Sequence, residues 1–251
     1  VPDIVQLREK IADGTEKVET AKRIKQLISQ VMRYAVQKGL RETNPAADIR
    51  DVLPAKIEGH HACVKPEELP ALLKAIQNYQ GNEVTCFALK IIALTFVRTR
   101  ELIEAKWEEI DWAKKEWHIP KERMKMKRPH RVPLANQTIQ LLKELQKITG
   151  HTAFVFYSSN SKSQHISNGA ILMALRRMGY SKKMTGHGFR SLASTLLNEK
   201  RYDTDIIERQ LAHEDNDKIR SAYNRAQYLP QRQKMMQDYA DILTENGLQN
   251  T

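Results

Sequence analysis

The chain has 251 residues, with 41 Lys and Arg against 30 Asp and Glu, a formal net charge of +11. That length allows one large or two modest domains with a real apolar core, and the cationic excess favours a polyanionic partner, because each neutralised phosphate releases condensed counterions. Two cysteines, Cys63 and Cys86, without CxxC spacing exclude a disulfide scaffold or zinc ribbon, and no window is apolar for long enough to span a bilayer.

The N-terminal VPDIVQLREK has no apolar signal core and does not start with Met, which reads as the start of a fragment of a longer protein. In TEKVETAKRIKQLISQVMRYAVQKGL, Val18, Ala21, Ile24, Leu27, Ile28, Val31, Met32, Ala35 and Val36 recur at three- and four-residue steps. They predict an amphipathic helix that Gly39 stops. Asn44 and Pro45 in TNPAADI are the cap and first position of a further short helix. From Asp51 to about His61 the period lapses in DVLPAKIEGHH, giving a division into a helical unit 1–52, a linker 53–64 and a second domain 65–251. His60, His61 and Cys63 are conceivable metal ligands, but no fourth follows at a usual spacing, so no metal is expected.

Helical pattern resumes at KPEELPALLKAIQ and continues in EVTCFALKIIALTFVRTRELIEA, read as one buried apolar helix. EWHIP, ERMKMK and HRVPL are short β-prone runs that predict a small antiparallel sheet. Helices return in ANQTIQLLKELQKI, SNGAILMALRRMG, GHGFRSLASTLLNEK, DTDIIERQLAH, NDKIRSAYNRA and LPQRQKMMQDYADIL. The fold class is therefore mainly α with a small antiparallel β-sheet.

Cleaving a phosphodiester with a protein nucleophile needs an activated oxygen, cations around the non-bridging oxygens and an acid for the leaving alkoxide. Arginine suits the second task, since its planar fork pairs phosphate oxygens and keeps its charge. Candidates lie in separate segments: Arg98 and Arg100 in FVRTREL, Lys125 and Lys127 in ERMKMKRPHRVPL, His187 and Arg190 in GHGFR, His213 in LAH, and Tyr223 ten residues on. His187 and Arg190, three apart at a helix start, share a face beside free N–H groups. Glu108, Glu109 and Asp111 in WEEIDW are read as a solvated acidic face rather than a two-metal site. No GxxxxGK[ST] loop occurs.

The order and spacing of these motifs, Arg-x-x-Glu-Leu, a Lys seven residues before Val132-Pro133-Leu134, His-x-x-Arg, Leu-x-His and Tyr, resemble the tyrosine recombinase (phage integrase) family over the whole chain. FVRTREL, MTGHGFR, ERQLAH and SAYNRAQYL look most like integrases of prophages and genomic islands, and RYAVQKGLRETNPAADI like the end of their core DNA-binding domain. The resemblance implies a core-binding domain over 1–52, shortened at its N-terminus, and a catalytic domain over 65–251. It implies Tyr223 as nucleophile, Arg98, Arg190 and His213 on the phosphate, Lys125 (Lys127 as alternative) as acid, His187 as acid/base, and Glu101 in support. Lys127, Arg128, Arg131, Arg176 and Arg177 are further DNA-binding candidates.

The implied activity is breaking and rejoining double-stranded DNA at attachment sites through a 3′-phosphotyrosyl bond, with neither metal nor ATP and no cofactor. Implied partners are a homotetramer on DNA, a monomer when free, and accessory DNA-bending or excision proteins, with no membrane. The implied setting is the cytoplasmic nucleoid of a bacterial host. The segment after Leu229 packs on a neighbouring protomer in such proteins, or else on its own chain. A type IB topoisomerase, a DNA-binding-only regulator and a metal-dependent nuclease are the rival readings.

Overall fold

A computed structural model describes residues 18–47, 62–213 and 227–249. The chain divides into two compact units, 1–59 and 60–251. In the first, helix α1 (Val18–Gln37) ends at Gly39, whose φ is +70°. The Leu40 N–H bonds the Ala35 carbonyl at 2.9 Å and the Gly39 N–H bonds that of Val36 at 3.0 Å. This is the Schellman closure that a left-handed residue makes possible. Asn44 accepts from the Ala46 N–H at 3.0 Å and its amide reaches the Ser29 hydroxyl at 3.0 Å. The described residues beyond it, Pro45–Ala47, form a turn, and the remainder of the expected second helix lies outside the described residues.

The second unit is built around one helix. α2 (Leu69–Gln77) leads into α3 (Glu83–Thr95), started by the Asn82 side chain accepting from the Thr85 N–H. Buried positions run round the whole of α3, as expected of a helix surrounded by protein. It packs against α2, α4 (Thr99–Ile103), α5 (Asn136–Thr149), α6 (Ala170–Arg177) and α9 (Leu229–Glu245). The expected single helix over 83–105 is broken at Phe96, which turns left-handed (φ 40°) while fully buried. Its ring meets Tyr239 of α9 edge-on at 5.2 Å, and α4 restarts three residues later.

The sheet has the order β1 (Ile110–Asp111), β2 (Glu116–Ile119), β3 (His130–Pro133), all antiparallel. Trp117 lies opposite Val132 and Ile119 opposite His130, and all four are buried, the alternation of a one-sided sheet. ERMKMK is not a strand: residues 120–129 form a turn-rich loop between β2 and β3, with Lys127 left-handed (φ 54°). The strand the sequence reading missed is Ile110–Asp111. α7 (Gly188–Glu199) and α8 (Thr204–Gln210) follow as expected. The expected helix NDKIRSAYNRA, with Tyr223, lies outside the described residues. α9 packs within its own chain, on α3, α5, α8 and β3.

Among the described residues no helix is long and apolar enough to cross a membrane, and no group of three or more His, Cys, Asp or Glu stands ready to hold a metal ion.

Candidate active site

The site begins with how a short helix ends. α8 closes in a Schellman motif: His213 N–H bonds the Glu208 carbonyl at 3.1 Å, Ala212 N–H bonds that of Arg209 at 3.2 Å, and Ala212 is left-handed (φ 49°). In LAH, then, the middle residue makes the turn and the histidine is carried back over the helix. A helix end leaves its last carbonyls without partners inside the helix. Here three successive ones are taken by side chains from three other elements. His130 of β3 reaches Gln210 O at 3.1 Å, Arg190 of α7 donates to Leu211 O at 2.5 Å, and Arg98, just before α4, donates to Ala212 O at 3.2 Å. The negative end of a helix is a favourable seat for the two guanidiniums.

Each arginine has a second hold. Arg98 Nη1 donates to Glu101 Oε1 at 2.8 Å, while Glu101 Oε2 accepts the Arg98 backbone N–H at 2.9 Å. Glu101 is buried (3% exposed), so Arg-x-x-Glu is one folded unit. Arg190, also 3% exposed, donates from Nη1 to Phe96 O at 2.9 Å. The helix break at Phe96 is what turns that carbonyl out of α3. Burial first, and then the nearby Arg98 charge, bring the Arg190 guanidinium down to about 10. The site therefore holds cations whose mutual repulsion an incoming anion would relieve.

His213 joins them. Arg190 Nη2 lies 3.1 Å from its Nε2, and its Nδ1 lies 2.7 Å from Glu208 Oε2. Since a guanidinium only donates, Nε2 is the acceptor and the ring proton sits on Nδ1, facing Glu208. Arg100, the neighbour of Arg98, points elsewhere: its side chain is 79% exposed and pairs with Glu104 at 2.8 Å.

His187 stands exposed at the N-cap of α7, between two glycines that packing requires. A Cβ on Gly186 would lie 2.2 Å from Thr99 Oγ1, and one on Gly188 would lie 2.5 Å from Ala62 O. The GHG sequence thus lets α7 approach the segment after Arg98 closely. Cys63 donates its thiol to Gly188 O at 3.2 Å, which ties the start of the unit to the same place. His60 and His61 lie outside the described residues, as does Tyr223.

Lys125, Lys127 and Arg128 stand exposed on the β2–β3 loop. Arg176 and Arg177 are exposed in the last turn of α6, and Arg131 pairs with Glu116 at 2.7 Å while remaining 41% exposed. The solvated reading of WEEIDW is wrong for one of its acids. Glu108 (75% exposed) and Asp111 make surface pairs with Lys106 and Lys114, but Glu109 is buried and takes Arg123 at 2.5 Å and the Trp117 indole N–H at 2.9 Å. The indole and guanidinium supply the partners a buried carboxylate requires.

Sequence reading also missed Glu208, His130, Gln210 and Arg232. Arg232 of α9 is completely buried and donates to Gln210 Oε1 at 2.7 and 2.9 Å, to Gln227 O at 3.3 Å and to Arg131 O at 2.5 Å. Burial brings it down to about 9. His130 could be read from the alternation in HRVPL; the others have no local signal, since their side-chain and cross-element partners are 22 to 101 residues away or, for Glu208, across a helix closure.

The mainly helical domain with its three-stranded sheet has a fold shared with known structures. A lambda integrase dimer bound to a COC′ core site superposes with a TM-score of 0.65 at 20% identity, covering 86% of this chain and 79% of that one. A lambda integrase tetramer bound to a Holliday junction gives 0.66 at 19% identity, covering 86% and 65%. The chain belongs to the phage integrase family: the model of that family matches residues 63–229, and that of the phage integrase central domain matches residues 1–52. It is 41% identical to prophage integrase IntZ of Escherichia coli K12 over 91% of this chain, and 36% identical to the integrase of Enterobacteria phage P4 over 94%. The chain spans 58% of the length of each of these two relatives.

Proposed function

We propose that the chain is the DNA-cleaving part of a site-specific integrase, which cuts and rejoins attachment-site DNA to integrate or excise a prophage or genomic island. The observation that carries this reading is the convergence of Arg98, Arg190 and His213 on the carbonyl end of α8, in a member of the phage integrase family. Residues 1–52 serve as a core DNA-binding domain, 53–64 as linker and 65–251 as catalytic domain.

The chemistry assigned to these residues is a transesterification. Tyr223 Oη forms a bond to the scissile phosphorus, the bond to the 5′-oxygen breaks, and a 3′-phosphotyrosyl link remains. Arg98 and Arg190 exchange carbonyl acceptors for the non-bridging oxygens, gaining charged partners in place of neutral ones. His213, beside Arg190 and with Glu208 against its Nδ1, is assigned the remaining contact to the phosphate. Lys125 gives the leaving 5′-oxygen its proton and His187 takes that of the tyrosine. The phosphodiester's free energy stays in the covalent bond, so the return step needs no ATP.

Lys127, Arg128, Arg131, Arg176 and Arg177 are assigned to the DNA backbone, where they position without reading sequence. Solved relatives of this fold are described on a core site as a dimer and on a Holliday junction as a tetramer. That supports duplex DNA as partner and assembly of several copies upon it, acting where the host chromosome lies.

The test is an SDS-resistant protein–DNA adduct, sought with nicked duplexes of randomised sequence in the presence of EDTA. The wild-type chain is expected to form one and Tyr223→Phe to form none. An adduct with Tyr223→Phe, or failure of the wild type, would overturn the assignment.

A further inference from the structure

We infer that Arg123 and His130 are positioning residues for the proton-donating lysine, fastening the two ends of its loop to the two segments that hold the arginine pocket. The inference rests on the reading of Lys125 given above.

The loop over 120–129 is exposed at its tip and anchored at its ends. At the incoming end, Met124 is buried (3% exposed) and Arg123 is 13% exposed at its side chain. Arg123 Nη2 pairs with the buried Glu109 carboxylate at 2.5 Å, while Nη1 donates to the main-chain oxygen of Glu101 at 3.0 Å. Glu101 is the residue whose carboxylate holds Arg98. At the outgoing end, His130 is buried, and its Nε2–H donates to Gln210 O at 3.1 Å, the first of the three carbonyls that also hold Arg190 and Arg98. Both ends of the lysine loop are thus tied to the main chain that sets the two arginines, and to different elements of it.

The ties add little net stability, so what they contribute is the place at which the base of the loop is held. A buried charged pair replaced by well-packed apolar groups is often as stable or more so. A general acid must come within about 2.6–3.2 Å of its target, and a lysine has several rotatable bonds to lose in getting there. Fixing the base of the loop leaves only the side chain to be ordered.

The step in question breaks the bond between phosphorus and the bridging 5′ atom as Tyr223 Oη bonds to phosphorus. When that atom is oxygen, the proton moves from Lys125 Nζ to the oxygen, and the lysine is recharged from water. When it is sulfur, the thiolate, of pKa about 8.5 as a free thiol, leaves without a proton.

The experiment compares adduct formation on nicked duplexes, recovered from the random pool by the wild-type chain, with oxygen or sulfur at the bridging 5′ position. Arg123→Lys and His130→Gln are expected to be slower than wild type on oxygen by about tenfold or more, within the range a general acid contributes. On sulfur they are expected to match wild type within about threefold, on the same principle, with unchanged DNA affinity. Lys125→Ala should show the same rescue and Tyr223→Phe should be dead on both. If Lys125→Ala is rescued by sulfur and the two variants are equally slow on both substrates, the anchors are structural only and the inference fails. If Lys125→Ala is not rescued, the reading of Lys125 fails and the inference with it. Should Arg123→Lys not fold, Arg123→Met with Glu109→Gln removes the pair without leaving a bare buried carboxylate, and is read in the same way.

Discussion

The arginine pocket and the lysine loop lie side by side in the chain's contacts but are built by opposite means. Arg190 is 3% exposed, and its fork is spent on the main-chain oxygens of Phe96 and Leu211 and on His213. Lys125 is exposed, and it is the residues around it, Arg123, Met124 and His130, that are packed away. Charges that must sit at fixed points are set by backbone at a helix end and a helix break. The lysine to which proton donation is assigned under the proposed function is carried on an arm whose base alone is fixed.

The sharpest way to break this contrast is Arg190→Ala. Loss of one preorganised donor at developing charge costs about 10²–10³ in rate, so SDS-resistant adduct should form that much more slowly, while duplex affinity in a gel-shift assay falls far less. Equal loss of both would reduce the pocket to a DNA contact. Glu101→Gln keeps the shape but removes the charge that holds Arg98. A hydrogen bond to a charged group is worth about 1.5–3 kcal/mol, and adduct formation should slow by about tenfold or more.

His130 sharpens the comparison through pH. Burial, and then the charge of Arg232, push its imidazole down to about 3 from the ordinary 6.5. As pH falls below 6.5 the unfolded chain takes up this proton and the folded chain does not, so stability contributed by neutral His130 is lost between those two values. Urea unfolding from pH 6 to 4 should show wild type losing stability faster than His130→Gln, by up to about 1.4 kcal/mol per pH unit. Parallel curves would place the imidazole in contact with solvent.

Ala212 occupies the left-handed closing position of α8 (φ 49°), where a Cβ costs about 1–2 kcal/mol. Ala212→Gly is expected to raise stability by about 1 kcal/mol in the same assay, and a loss would mean that the closure forms differently. The smallest effect belongs to the surface. Arg176→Ala or Arg177→Ala should lower DNA affinity uniformly across sequences and reduce the salt slope by about one.

Much of this was legible because it is local or periodic. The all-round burial of α3, the Gly39 stop and the helices around Arg190 follow from spacing and composition. Arg98 and Glu101 are three apart, spacing that a helix start turns into contact. The break at Phe96 was not legible, since no glycine or proline marks it and the left-handed turn is held by burial and by Tyr239. The strand expected at ERMKMK failed because alternation of Met and Lys describes a loop with one buried residue equally well. Glu109 was misread because a run of acids looks solvated until its partners Arg123 and Trp117, 14 and 8 residues on, are known.

Arg232 has a further consequence for how this domain can be cut and exchanged. The match to the family ends at residue 229, where α9 begins, yet Arg232, Met235, Met236, Tyr239 and Leu243 of that helix are all buried. The folded unit therefore runs past the edge of the family match, through Leu243. A C-terminal helix transplanted from a relative would have to bring its own partner for Gln210, because Arg232 and Gln210 hold each other across that border.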